Sequence, residues 1–243
     1  MDRKLNICAM IPARIGSSRL KYKNFALLDG KPLIFYAINA AKQSAVFDNI
    51  VLNSDDIVFK SIADRYGIDF YLRQKRLGSS ITKSDEVVSD FITHRPEADI
   101  VVWVNSIAPL MDSNHIKETL DYFVNSNLDS LITSEKKYVH ANFLKDEINY
   151  SKGEAFAQTQ NLQPVELFNY CLMMWRVESF KASFSENEFG LMCGNFSTYS
   201  LKGIDVIIKT AQDLQLAEKI MISKKEELLG VTYDDTLNFQ FVR

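Results

Sequence analysis

The chain has 243 residues, 47% of them hydrophobic and 24% charged, which suits one large soluble domain with one substantial core. A net charge of −3 offers no global field to nucleic acid or to an anionic membrane surface, and no apolar window reaches the length of a membrane span. Cys8, Cys171 and Cys193 are odd in number and lack Cys-x-x-Cys spacing, which argues against a disulfide framework or a zinc site, and with no leader-like segment the expected location is the cytoplasm.

Apolar runs alternate with amphipathic stretches, the pattern of a doubly wound sheet. Residues 5–11 read as a first buried strand that Pro12 ends. Small residues follow at Ala13, Gly16, Ser17 and Ser18, which lets main-chain amides approach an anion, and the cations Arg14, Arg19, Lys21 and Lys23 fall close together. Fixed amides with flexible cations are what a triphosphate needs to replace its water. A mildly acidic chain with one basic cluster favours a small anionic ligand over a polyanion. Arg19 and Lys21 serve equally well as rim charges.

Pro32 suits the first turn of a helix running over 33–41. Residues 49–52 form a second strand, 53–56 a turn that caps a helix over 57–66, and Gly67 its stop. A third strand starts at 69–72, a helix occupies 84–95, and 99–104 is the most continuous apolar strand, as expected at the centre of a parallel sheet. Beyond 130–133 the character changes. From about 135 to 185, short runs dense in aromatics and methionine read as strands without a helical partner, either a core hairpin region or a self-association surface. The sheet resumes at 203–208 and a helix covers 211–220, whereas 230–243 carry no signal.

No Gly-x-x-x-x-Gly-Lys-Ser/Thr is present, and Gly16 lacks partner glycines at dinucleotide-binding spacing. His94, His115 and His140 are isolated and read as surface or capping residues.

Pro12-Ala13-Arg14, Gly16-Ser17, Lys23-Asn24 and Gly30-Lys31-Pro32-Leu33-Ile34 together resemble the sugar-acid cytidylyltransferases, the family of the acylneuraminate, pseudaminic, legionaminic and 3-deoxy-octulosonic acid enzymes. The resemblance implies a three-layer α/β/α fold of the nucleotide-diphospho-sugar-transferase type, in one domain over 1–243. Its sheet would be mostly parallel, with a small β-rich insertion at about 135–185 for dimerisation and sugar-site closure. It implies CTP and a small sugar acid as substrates, magnesium as cofactor, and a homodimer. Arg14 and Lys23 would be the catalytic cations, and Ala13, Gly16, Ser17, Asn24, Arg73 and Ser84 would complete the nucleotide site. Arg73 suits a cytosine edge or a phosphate equally, and Ser84 either approaches base and ribose or caps its helix.

Two segments depart from the family. Relatives carry Gln-Pro-Thr-Ser-Pro-Leu where this chain has Asn105-Ser106-Ile107-Ala108-Pro109-Leu110, a shorter amide and a changed sugar pocket. Asn105, Gln160 and Asn169 are the corresponding substrate-binding candidates. Lys209 and Ile207 stand where relatives place magnesium aspartates, so Asp205 is the remaining metal candidate, usable if the strand end bulges, and Asp213 reads as a helix cap. Three readings follow: a sugar-acid cytidylyltransferase, a related nucleotidyltransferase with another small acceptor, and a nucleotide-binding homologue without turnover.

Overall fold

The computed structural model describes residues 3–201, 203 and 206–225. Strand β1 (Ile7–Ala13) lies fifth of seven in one sheet, and its N-terminal half pairs on both sides. A short hairpin, β2 (Leu27–Leu28) and β3 (Lys31–Pro32), precedes helix α1 (Ile34–Ser44). Then come β4 (Asn49–Ser54), α2 (Lys60–Tyr66), β5 (Asp69–Leu72), α3 (Ser84–His94), β6 (Ile100–Val104) and α4 (Ser113–Asn125). The second half holds β7 (Ser130–Lys137), the tiny hairpin β8 (Asn142–Phe143) and β9 (Asp146–Glu147), the long β10 (Val165–Arg176), α5 (Val177–Asn187), β11 (Phe196–Ser200) and α6 (Ala211–Lys225).

The sheet order is β11-β7-β10-β6-β1-β4-β5, and only β10 runs antiparallel to its neighbours. Alternate residues of each strand feed two cores. Ala9, Ile11 and Leu52 meet α1, α2 and α4 on one face, while Cys8, Met10 and Val51 meet α3 and α5 on the other. The three layers are those expected. All three cysteines are buried and none is in a disulfide, and burial pushes the Cys8 thiol up to about 12. No helix of the described residues is long and apolar enough to cross a membrane.

Several local expectations need correction. Pro12 does not end β1: it pairs with Asn53 of β4, and β6 no longer flanks the strand beyond Met10, so a residue without N–H is tolerated there. Pro32 belongs to the β2–β3 hairpin, and α1 begins at Ile34. Asn53 and Ser54 lie in β4, leaving Asp56 to cap the next turn by accepting from the Val58 N–H (2.9 Å). The strand expected at 203–208 falls partly on residues outside the described set, including Asp205, and Val206–Lys209 form no strand. The edge strand is β11 instead, parallel to β7.

Within 135–185 the strands were legible but α5 was not. Beyond the main sheet, residues 135–137 of β7 pair only with 165–167 of β10, forming a two-stranded ribbon. A bulge at residues 169–172 separates ribbon from sheet, and Tyr170 there has φ 55°. Phe143, Leu144, Phe156 and Leu167 of this ribbon region are exposed.

Candidate active site

Neighbouring strands β4 and β6 flank β1 on opposite sides, so connections diverge at its C-terminal end, where open α/β sheets form a crevice. A cleft of about 330 Å³ opens there. Its lining combines the loop after β1, the start of α3 and the end of β6.

The loop is built from the inside outwards. Asp55, just past β4, accepts from the Ile15 N–H (3.2 Å) and fixes where the loop leaves the sheet. Gly78 permits that contact, because a Cβ there would fall 2.0 Å from Asp55 Oδ2. Arg73 is 5% exposed and donates to the carbonyl oxygens of Asn53 (2.6 Å) and Ala13 (3.2 Å) and to Asn53 Oδ1 (3.0 Å). Most of its fork is therefore committed to holding the ends of β1 and β4 together, with Asp55 at 3.8 Å as counter-ion. Burial lowers its pKa from the ordinary value, and Asp55 opposes that shift.

Past this anchor the chain is open. A Cβ on Gly16 would meet nothing within 4 Å, and among the described residues no protein hydrogen bond engages the Gly16 or Ser17 N–H groups. Arg14, Arg19 and Lys23 line the same cleft. Among the described residues none of the three forms an ion pair, and Arg14 makes one long contact to the Ser79 carbonyl (3.4 Å). Lys23 shows the result: burial first, then the charges of Arg19 and Arg14, hold its ammonium below its ordinary pKa. Positive charge that no ion pair neutralises collects there, offset at Lys23 only in part by Asp213. Arg19 is thus part of the cleft rather than its rim, whereas Lys21 does not line it.

Three buried polar atoms around the cleft have no partner: Asn24 Oδ1, Arg73 Nε and Trp103 Nε1. Asn24 spends its Nδ2 on the Arg14 carbonyl (3.4 Å). Ser84 lines the cleft as the first residue of α3, and the helix is capped instead by Glu86 Oε1 accepting from the Lys83 N–H (3.2 Å). Trp103 was not singled out from sequence. The signal was its position, an indole near the C-terminal end of the most continuous apolar strand.

The acceptor-side candidates fare differently. Asn105 lines the cleft, but its Nδ2 donates to the Tyr170 carbonyl (2.9 Å) and its Oδ1 accepts from the Ile107 N–H (3.3 Å). Asn169 lies outside the lining and holds the β10 bulge through Thr133 Oγ1 (2.7 Å) and the Ser134 carbonyl (3.2 Å). Gln160 is exposed beside Gln158 and also lies outside the lining.

A divalent cation finds no carboxylate in this lining among the described residues, nor any cluster of metal-ligating side chains elsewhere. Asp213 Oδ2 accepts from the N–H groups of Lys209 (2.8 Å) and Thr210 (2.7 Å), so it caps α6 as expected. Asp205 lies outside the described residues. The described donor set therefore does not fit magnesium.

Residues 8–170 match the family model described as cytidylyltransferase. N-acylneuraminate cytidylyltransferase from Streptococcus agalactiae serotype V is 30% identical over 182 residues, covering 72% of this chain and 44% of that protein. The chain thus spans less than half the length of that relative. Pseudaminic acid cytidylyltransferase from Campylobacter jejuni serotype O:23/36 is 33% identical over 163 residues, 65% of each protein. Among solved structures, CMP:2-keto-3-deoxy-manno-octonic acid synthetase complexed with CTP superimposes with a TM-score of 0.67 at 15% identity, covering 90% of this chain and 99% of that one. At that identity the likeness is one of fold.

Proposed function

The chain belongs to the cytidylyltransferase family, and from that premise we propose that it transfers CMP from CTP to a nonulosonic-type sugar acid, releasing pyrophosphate. One observation carries the reading: Arg14, Arg19 and Lys23 converge, without counter-ions among the described residues, on a cleft beside the open Gly16-Ser17 turn. The anomeric hydroxyl attacks the α-phosphorus in line. The bond to the bridging oxygen breaks, its electron pair leaves with pyrophosphate, and the hydroxyl proton passes to solvent. Arg14, Lys23 and the Gly16 and Ser17 amides hold the leaving phosphates and bind the charge that grows on them. Arg73 Nε and Trp103 Nε1 are buried and unpartnered beside the cleft, and a side-chain shift that admits the base gives them N3 and O2 of cytosine as acceptors, with Asn24 Oδ1 as the acceptor for its amino group. The exposed apolar ribbon at 135–167 supports a homodimer, which sedimentation of the purified protein tests.

A second reading has its own support. With its amide spent on backbone groups, Asn105 leaves the acceptor end without the expected side-chain amide, which favours a different small acceptor. Pyrophosphate release with CTP across sialic, legionaminic, pseudaminic and 3-deoxy-octulosonic acids decides between them. Release with one of these acids supports the proposal, release with another acceptor alone supports the second reading, and CTP binding without release marks a homologue that has lost turnover.

A further inference from the structure

We propose that Lys209 is a fourth triphosphate ligand of the cleft, and that the four cations Arg14, Arg19, Lys23 and Lys209 do the work of a carboxylate-held divalent cation, so that CTP binds without metal. The inference rests on the nucleotide reading above. Lys209 stands beside the cleft and outside its lining: it follows Ile208, whose N–H donates to the carbonyl of cleft-lining Ile107 (2.9 Å), and Ile208 itself is buried against Leu28 and Leu33. The Lys209 N–H is tied to Asp213 Oδ2 (2.8 Å), so both backbone flanks of this lysine are fixed while its side chain is exposed. Its charge adds weakly to the repulsion of Lys23 by Arg19 and Arg14, less than Asp213 offsets it. Asp213 is the acid that also acts on Lys23, and its Oδ2 is occupied in capping α6.

Chemistry separates the two ways of neutralising a triphosphate. Magnesium needs hard oxygen ligands, and among the described residues none of the carboxylates lines the cleft. Ammonium and guanidinium groups bind phosphate oxygens directly, and charge-assisted bonds of this kind are the strong ones. A metal-free triphosphate carries a charge on each phosphate and one more on the last, which four side-chain cations match.

Calorimetric titration with CTP, in EDTA and in magnesium chloride, tests this. The expected affinities agree within about threefold. In EDTA, Lys209→Ala weakens binding about tenfold and Lys209→Arg restores it, with thermal unfolding unchanged. Asp205→Ala leaves CTP affinity unchanged in both buffers. Affinity falling more than about threefold on removing magnesium overturns the inference, as does full affinity in Lys209→Ala or a saturable manganese site seen by electron paramagnetic resonance without nucleotide. Binding in magnesium alone spares the proposed function. Absence of CTP binding in both buffers sinks the two together.

Discussion

Replacing Lys23 by alanine separates a ligand-binding cation from a structural one. Lys23 is half-buried, without an ion pair among the described residues, and stands against Arg19 and Arg14, so before ligand binds it is a source of strain rather than of stability. A charge-assisted hydrogen bond to phosphate contributes about 1.5–3 kcal/mol, so Lys23→Ala should weaken CTP binding roughly 10- to 150-fold. Pyrophosphate release at subsaturating CTP should fall by a similar factor. The unliganded variant should melt at the wild-type temperature or a few degrees above it, since it loses desolvation and like-charge repulsion. Calorimetric titration and thermal unfolding on the same preparations read both quantities. A melting temperature that drops alongside the activity, or an unchanged CTP affinity, would refute the reasoning.

Lys23 also sets a pH dependence: its folded pKa lies below the ordinary 10.5, so the unfolded chain binds the extra proton between the two values and apo stability rises with pH across that window. CTP affinity should fall over the same rise as the ammonium deprotonates, and an affinity flat to pH 10.5 would contradict it. Arg73→Ala strips donors from the buried Asn53 and Ala13 carbonyls and should destabilise the fold by roughly 2–4 kcal/mol in urea titrations, whereas native stability would make Arg73 a ligand group only. Gly78→Ala drives a Cβ into Asp55 and should cost about 1–3 kcal/mol, with a loss of CTP affinity as the Ile15 anchor shifts. Gly16→Ala is the opposite case. Its Cβ meets no protein atom, so stability should stay within about 0.5 kcal/mol while CTP affinity drops, and unchanged affinity would remove the Gly16 turn from the phosphate site.

Much of the architecture was readable because burial on both faces writes continuous apolar strands, as at 99–104, and because Asp56 and Gly67 mark helix ends by their own chemistry. Helix α4 went unread although Asp112 caps it and Ile116, Leu120 and Phe123 form its buried stripe. Helix α5 follows β10 without a break, and Phe180 is its one large fully buried side chain, so its helical period is faint. The gathering of Arg14, Arg19 and Lys23 at one cleft was legible because unpaired cations beside small residues have few structural uses. Asn105 and Asn169 were not, since an amide serves a ligand or a backbone carbonyl equally, and only tertiary structure showed that the β10 bulge claims both. Asp55 and Arg73 are neighbours only across strands β4 and β5, a proximity no local motif carries.

The most direct test of the basic cleft is a phosphorus NMR titration of CTP with the purified wild-type protein and with the double variant Arg14→Ala, Lys23→Ala. Saturable shifts of the β- and γ-phosphate resonances should occur with the wild type and disappear with the double variant. Shifts that persist in the double variant, or that never arise with the wild type, would place the triphosphate somewhere other than this cleft.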